Sequence, residues 1–239
     1  MKLTTAILIL TLFTWINGQS QENKFELGFV VFPNFSLGVV TNDGSVPGEV
    51  ESGVQDIEMA KPSISSSVFV EYKLNDKSII GLGMGYQNNG SRTKKTDLVY
   101  GIDPITGNPI SDPSFPTQVE FRYNHHNVEI PVYYKRMFGD KFFVLIGTSS
   151  IINISNTQTS IQYFADVDLQ QKITEEDKST EFRRFNISGN IGFGLDYLNT
   201  DKLSLFVFPY LQYGILGISK SASLNRNFLS IGISTGIRF

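Results

Sequence analysis

The chain has 239 residues, a formal net charge of −3, 13% aromatic residues, 21 glycines and no cysteine. This composition suits one domain of mostly β structure, and the missing cysteines exclude a disulfide framework. The near-balanced charge gives no support to nucleic-acid binding, which needs a clustered basic face.

Residues 1–18, "MKLTTAILILTLFTWING", carry one Lys, an apolar core from about Ala6 to Ile16 and a small residue at Gly18. That is the layout of a secretory signal peptide, and cleavage is expected after Gly18 or Ser20, leaving 19–239 as the mature domain. The apolar run is shorter than the roughly 20 residues a membrane helix needs. Its removal takes away Lys2 and no acidic residue, so the net charge moves from −3 to −4. Eight strand-like segments follow, at about 24–40, 62–74, 77–90, 118–138, 141–158, 181–198, 202–218 and 227–239, marked by alternation and turn chemistry. No ten-residue stretch of the mature chain shows a helical stripe.

The connections alternate in length. Asn75-Asp76, Gly139-Asp140 and Asn199-Thr200-Asp201 are tight turns. Residues 41–61, 91–117, 159–180 and 219–226 are longer and polar. Short turns on one side and long loops on the other predict an all-β fold, an eight-stranded antiparallel up-and-down transmembrane β-barrel. An even strand count then places both termini in the periplasm.

Alternation inside the strands assigns the two faces. In the last strand Leu229, Ile231, Ile233, Thr235, Ile237 and Phe239 oppose Ser230, Gly232, Ser234, Gly236 and Arg238. Ile187, Ile191, Phe193, Leu195 and Tyr197 oppose Asn186, Ser188, Asn190, Gly192, Gly194 and Asp196; Val128, Ile130, Val132 and Tyr134 oppose Glu129, Tyr133 and Lys135. One face suits lipid and the other a small, wet interior. A soluble sandwich would instead carry charges on its polar face. Pro33, Pro131 and Pro209 fall inside strands and predict local bulges.

Near the short turns the outward positions Phe25, Tyr72, Tyr134, Phe142, Tyr197 and Phe239 predict a periplasmic-side aromatic girdle. The inward positions Glu26, Glu71, Lys73, Glu129, Lys135, Asp196 and Arg238 predict an ion-pair network plugging the lumen. Eight strands enclose a space that side chains can just fill, and charges confined there need partners. His125 and His126 are adjacent on one strand and point to opposite faces, so they do not ligate one metal together. No activated nucleophile stands near them in the sequence. The acidic loop residues lack EF-hand spacing, and "GLGMG" at 81–85 lies in a strand with no helix after it. No residue is assigned as catalytic, cofactor-binding or metal-ligating.

"VEIPVYYK" at 128–135 is similar to a characteristic strand of the outer-membrane β-barrel domain proteins abundant in Bacteroidota, related in architecture to OmpA and OmpX-type small barrels. "FFVLIGTSSIIN" at 142–153, "NISGNIGFGLDY" at 186–197 and the final "LSIGISTGIRF" extend the resemblance over essentially the whole mature chain. It implies a barrel in the bacterial outer membrane, embedded in lipid. The final strand ending in Phe239 resembles the signal read by the outer-membrane insertion machinery. The family motifs identify the barrel and say little of activity. Long polar loops on a rigid scaffold favour a non-enzymatic role, structural or in binding an extracellular ligand or envelope protein. The alternative is a narrow porin-like channel for ions or small solutes, suggested by the Gly- and Ser-lined interior.

Overall fold

The computed structural model describes residues 24–101, 114–165, 169–179, 181–200, 203–220 and 222–239. The expected signal peptide over 1–18, with cleavage after 18 or 20, lies outside the described residues. Eight long strands account for most of the rest: β1 (Phe25–Asn42), β3 (Lys61–Asn75), β4 (Ser78–Thr93), β6 (Gln118–Phe138), β7 (Phe142–Tyr163), β9 (Phe185–Asn199), β10 (Ser204–Gly214) and β11 (Leu224–Arg238). Each pairs antiparallel with the long strand before and after it, and β11 returns to β1 through thirteen registered pairs from Gly28↔Arg238 to Asn42↔Leu224. The sheet is therefore a closed eight-stranded ring with no free edge through its body. At the seam Phe239 N–H donates to the Leu27 carbonyl at 2.8 Å.

Three short strands decorate the long-loop end. β2 (Glu58–Met59) pairs with the end of β4, β5 (Thr96–Asp97) with the start of β6, and β8 (Gln170–Glu176) with the outer half of β7. The connection expected as a plain loop over 159–180 is thus partly a hairpin: β7 runs on to Tyr163 and β8 folds back along it. The first long connection also holds a helix, α1 (Gly48–Ile57), where no helical stripe was expected. Val50, Val54 and Ile57 recur at i, i+4 and i+7, a short helical spacing that the sequence reading passed over, although none of the helix residues is buried. Gln55 anchors it instead, accepting from Val40 N–H at 2.8 Å and donating to the Gly38 carbonyl at 3.5 Å.

The two faces alternate as the sequence pattern requires. Outward positions include Val68, Leu82, Met84, Ile146, Ile191, Phe193, Ile231 and Ile233, all exposed, whereas Ser36, Ser149 and Ser188 inside are completely enclosed. An apolar outside around a polar inside inverts the arrangement of a water-soluble barrel and suits hydrocarbon.

The prolines do not produce the expected bulges. Pro33 pairs in step with Ile64 on β3, and the β1–β11 ladder omits Phe32 and Pro33 but resumes in the same register at Asn34↔Gly232. Pro131 pairs with Ser149 and Pro209 with Ile233, each leaving a similar gap toward the opposite neighbour. In an antiparallel ladder a given N–H points to one neighbour only. The missing donor therefore opens one side, and the other side holds the register. The actual register shifts lie between Lys73 and Asn75, His126 and Asn127, and Leu205 and Phe206.

Candidate functional site in the barrel lumen

At the short-turn end the ring brings together six of the seven charged residues expected inside. Glu26 on β1 meets Lys73 on β3 at 2.6 Å and Arg238 on β11 at 3.4 Å. Glu71 on β3 is paired with Lys135 on β6, lies 3.5 Å from Arg238, and accepts from the Tyr133 hydroxyl at 2.9 Å. Arg238 also pairs with Asp196 on β9. Three carboxylates and three cations from five strands form one connected set. Arg238 is its hub because its planar guanidinium offers several donors at once. Only Lys73 reaches solvent appreciably, while the Glu71, Lys135, Asp196 and Arg238 side chains are all within 6% exposure.

A shelf of aromatic rings lies against this layer. Phe69, Phe143, Phe206 and Phe208 are buried with Leu145 into one cluster, with ring centroids 5.7–5.9 Å apart for consecutive contacts. Glycines on adjacent strands make the space. A Cβ on Gly28 would lie 2.2 Å from Phe69 Cζ, on Gly194 2.3 Å from Phe143 Cζ, on Gly236 2.3 Å from Phe206 Cζ, and on Gly81 2.1 Å from Tyr133 Cζ. The glycine-rich inner face, expected to line a wet interior, is here a set of seats for rings. The signal was present in the parity: Phe69 shares its face with Glu71, and Phe206 and Phe208 share theirs with Gln212.

Glu129 stands apart from the ion pairs. Its expected place in the network is corrected by its height on β6: it lies four residues before Tyr133, and although Glu71 and Lys135 line the same cavity, they pair with each other and not with it. It accepts from Gln212 Nε2 at 2.6 Å and has the Ser149 side chain as a second partner. It lines a cavity of about 80 Å³ together with Asn190, Ser234, Phe32, Phe208 and Tyr210. Gln212 also donates to Ser188 Oγ at 2.9 Å and is bonded to Gln87 across the lumen.

Toward the long loops the filling becomes mostly neutral and polar, with one enclosed lysine, Lys61, donating to Asn88 at 3.2 Å and Asn124 at 2.6 Å. Asn127 donates to Asn89 at 3.2 Å, Asn153 donates to Asn127 at 3.0 Å, and His125 Nδ1 lies 2.7 Å from Asn156 Oδ1 beside Phe228. These groups line a second cavity of about 40 Å³. Glu58, which follows α1, is enclosed and bonded to Arg226 Nε on β11 at 2.5 Å. The first long connection therefore folds into the mouth. Sequence reasoning missed this pair because no periodicity links a loop carboxylate to a strand 168 residues away.

The six aromatic residues expected as a girdle all lie on the outward face or at its lower margin. Phe25 packs on Tyr72 with centroids 4.8 Å apart, Phe142 stacks on Phe193 at 6.2 Å, and the Tyr134 hydroxyl lies 3.0 Å from Ser78 Oγ. Tyr197 and Phe239 are exposed beside the same turns. At the other end of the outer wall, Tyr86 OH lies 2.5 Å from His126 Nδ1, so the two histidines serve opposite faces. Among the described residues no three His, Cys, Asp or Glu side chains are grouped to hold a metal ion.

Residues 17–223 match the family model described as "Outer membrane protein beta-barrel domain". The chain belongs to that family. Membership places it in the bacterial outer membrane, embedded in lipid. No curated protein matches the chain. Among solved structures it is similar to Ail, the attachment invasion locus protein of Yersinia pestis, at 9% identity and a TM-score of 0.38, covering 90% of this chain and 99% of that one. It is also similar to Neisserial surface protein A at 11% identity and 0.40, covering 90% and 96%. The outer membrane protease OmpT of Escherichia coli matches at 8% identity and 0.40, covering 94% and 99%. Likeness at these values passes none of their roles to this chain.

Proposed function

We propose that this outer-membrane barrel is a non-enzymatic scaffold with a closed lumen, which meets an extracellular ligand or another envelope protein through its long-loop end. The observation that carries the reading is the filling of the lumen, where the balanced ion-pair layer, the phenylalanine shelf and the inserted Glu58–Arg226 pair succeed one another along the axis. Eight strands leave little room beyond side chains. The long-loop end by contrast carries α1 and an extension in which β5, β6, β7 and β8 pair in sequence. Both described ends of the barrel, Phe25 and Arg238, lie at the short-turn end, which supports placing the termini in the periplasm. The role of Phe239 in recognition by the insertion machinery belongs to the same reading; its deletion is expected to slow assembly into membranes containing that machinery while leaving detergent refolding intact.

Two cavities in line favour the second reading, a narrow channel, in which the Gln87–Gln212–Glu129 bridge would be the barrier between them. Ion conductance of the refolded barrel in a planar bilayer, after heat-modifiable gel mobility has established folding, separates the two. A silent membrane is the expected result. Discrete steps altered by substitution at Glu129 or Arg238 would replace the closed scaffold with the channel.

A further inference from the structure

We propose that the larger lumen cavity binds a small monoammonium cation with a short alkyl body, held by the Glu129 carboxylate and the surrounding aromatic faces. The charge count motivates it. In the short-turn layer Glu26, Glu71 and Asp196 are matched by Lys73, Lys135 and Arg238, so that layer is neutral as a set. In the mouth Glu58 is matched by Arg226. Glu129 belongs to no ion pair, and its described hydrogen-bond partners, Gln212 and Ser149, are both neutral; Lys61, the enclosed cation outside these pairs, donates instead to Asn88 and Asn124 nearer the mouth. A half-buried carboxylate that faces an interior cavity without a counter-charge is costly.

The lining selects among the ways of neutralising it. Hard metal ions take about six to eight oxygen ligands or near-octahedral oxygen geometry, whereas the carboxylate this cavity leaves outside an ion pair is Glu129, beside a few neutral oxygens and the rings of Phe32, Phe206, Phe208 and Tyr210; Glu71 and Lys135, which also line it, are paired with each other. Aromatic faces attract an ammonium group through their quadrupole, most strongly where water is excluded. The Ser65 and Ser234 hydroxyls line the same space and can accept from the remaining N–H groups. At roughly 10–15 Å³ of such volume per water, 80 Å³ admits a ligand of a few heavy atoms. Propylammonium has that size and charge, and 1-propanol is its neutral counterpart.

The test is to refold the full mature barrel in detergent with either compound present, since a filled lumen would otherwise admit ligand slowly, and to follow backbone amide shifts around Glu129, Tyr210 and Ser234. Propylammonium is expected to saturate these shifts at a concentration at least tenfold below 1-propanol, and Glu129→Gln should collapse the difference to less than twofold. Equal binding of amine and alcohol, or no saturable shift with either, overturns the proposal, because the carboxylate would then be neutralised by its own proton. Displacement of propylammonium by an equal concentration of potassium would also overturn it, leaving a site for inorganic cations. If Glu129→Gln fails to fold, the amine-to-alcohol ratio on the unaltered chain decides alone. Conductance does not enter the readout, so a failed site and an open barrel are distinguishable.

Discussion

At the short-turn end of the lumen, three carboxylates and three cations lie against a shelf of phenylalanines; in the long-loop half, neutral amides and hydroxyls surround an ion pair that a loop carries in and a lysine, Lys61, held by two asparagines. The first region is built entirely from barrel strands, and its charges occur only as a complete matched set. In the second, Asn, Gln and Ser each offer donor and acceptor together, so they satisfy one another without a fixed charge balance. The difference shows how one narrow tube can be rigid at one end and adaptable at the other. Ion pairs with excellent geometry hold a single arrangement, whereas a chain of amides tolerates exchange of partners.

Breaking the charge balance should have the largest effect. Arg238→Met keeps much of the side-chain volume but leaves Glu26, Glu71 and Asp196 facing only Lys73 and Lys135. A loss of about 3 kcal/mol is expected, measured as a fall in the urea midpoint of the detergent-refolded barrel. Adding Asp196→Asn should recover part of that loss; a double variant no more stable than the single one would show that Arg238 acts by packing alone. Phe143→Ala removes the most enclosed ring of the shelf, at 2% exposure. It should cost about 3 kcal/mol at most sites that collapse poorly around the gap, and it provides a second check: a shelf that closes the lumen should, once opened, allow conductance that the intact barrel lacks.

How much of this was legible beforehand follows from what periodicity encodes. The eight strands and the inward positions of Glu71, Lys135, Asp196 and Arg238 follow from a period of two, the turns at Asn75-Asp76 and Gly139-Asp140 from their residue types, and the ring reproduces them. Proline positions were misread because the sequence shows a missing donor but not which neighbour that donor would have faced. The shelf was overlooked because glycines and phenylalanines on the inner face were read separately, though each glycine is half of a contact across two strands. Glu129 shares its face with the charged set but not its height, and height depends on strand stagger, which alternation leaves open. The Glu58–Arg226 pair depends on the path of a loop and had no local signal at all.

Smaller effects are expected where the loop enters the mouth. Arg226→Met would leave the enclosed Glu58 carboxylate without its cation, but Arg226 is itself about one-third exposed, with a side-chain exposure of 33%. Water can therefore compensate in part, and a cost of about 1–2 kcal/mol follows. Its signature is local: the stretch 43–57 should become sensitive to protease while heat-modifiable mobility of the barrel is retained. Global loss of the barrel would mean that the mouth and the short-turn layer are one cooperative unit.

The smallest effect tests the same contrast with a carboxylate outside the lumen altogether. Asp43, in the connection after β1, is fully exposed, and hydrogen bonds from the Ser45 hydroxyl and backbone N–H hold its carboxyl below the usual carboxylate range, against a minor opposing effect of burial. Because the folded value lies below the unfolded one, its contribution is present above the unfolded value and is lost as pH falls through the folded one. Ser45→Ala should raise the Asp43 titration midpoint, read from side-chain carboxyl NMR, and leave the urea midpoint unchanged. If that substitution shifts global stability, the loop turn is coupled to the barrel after all. A purely local response would instead set Asp43 against Asp196, where the same chemical group, enclosed and paired with Arg238, belongs to the set that holds the strands together.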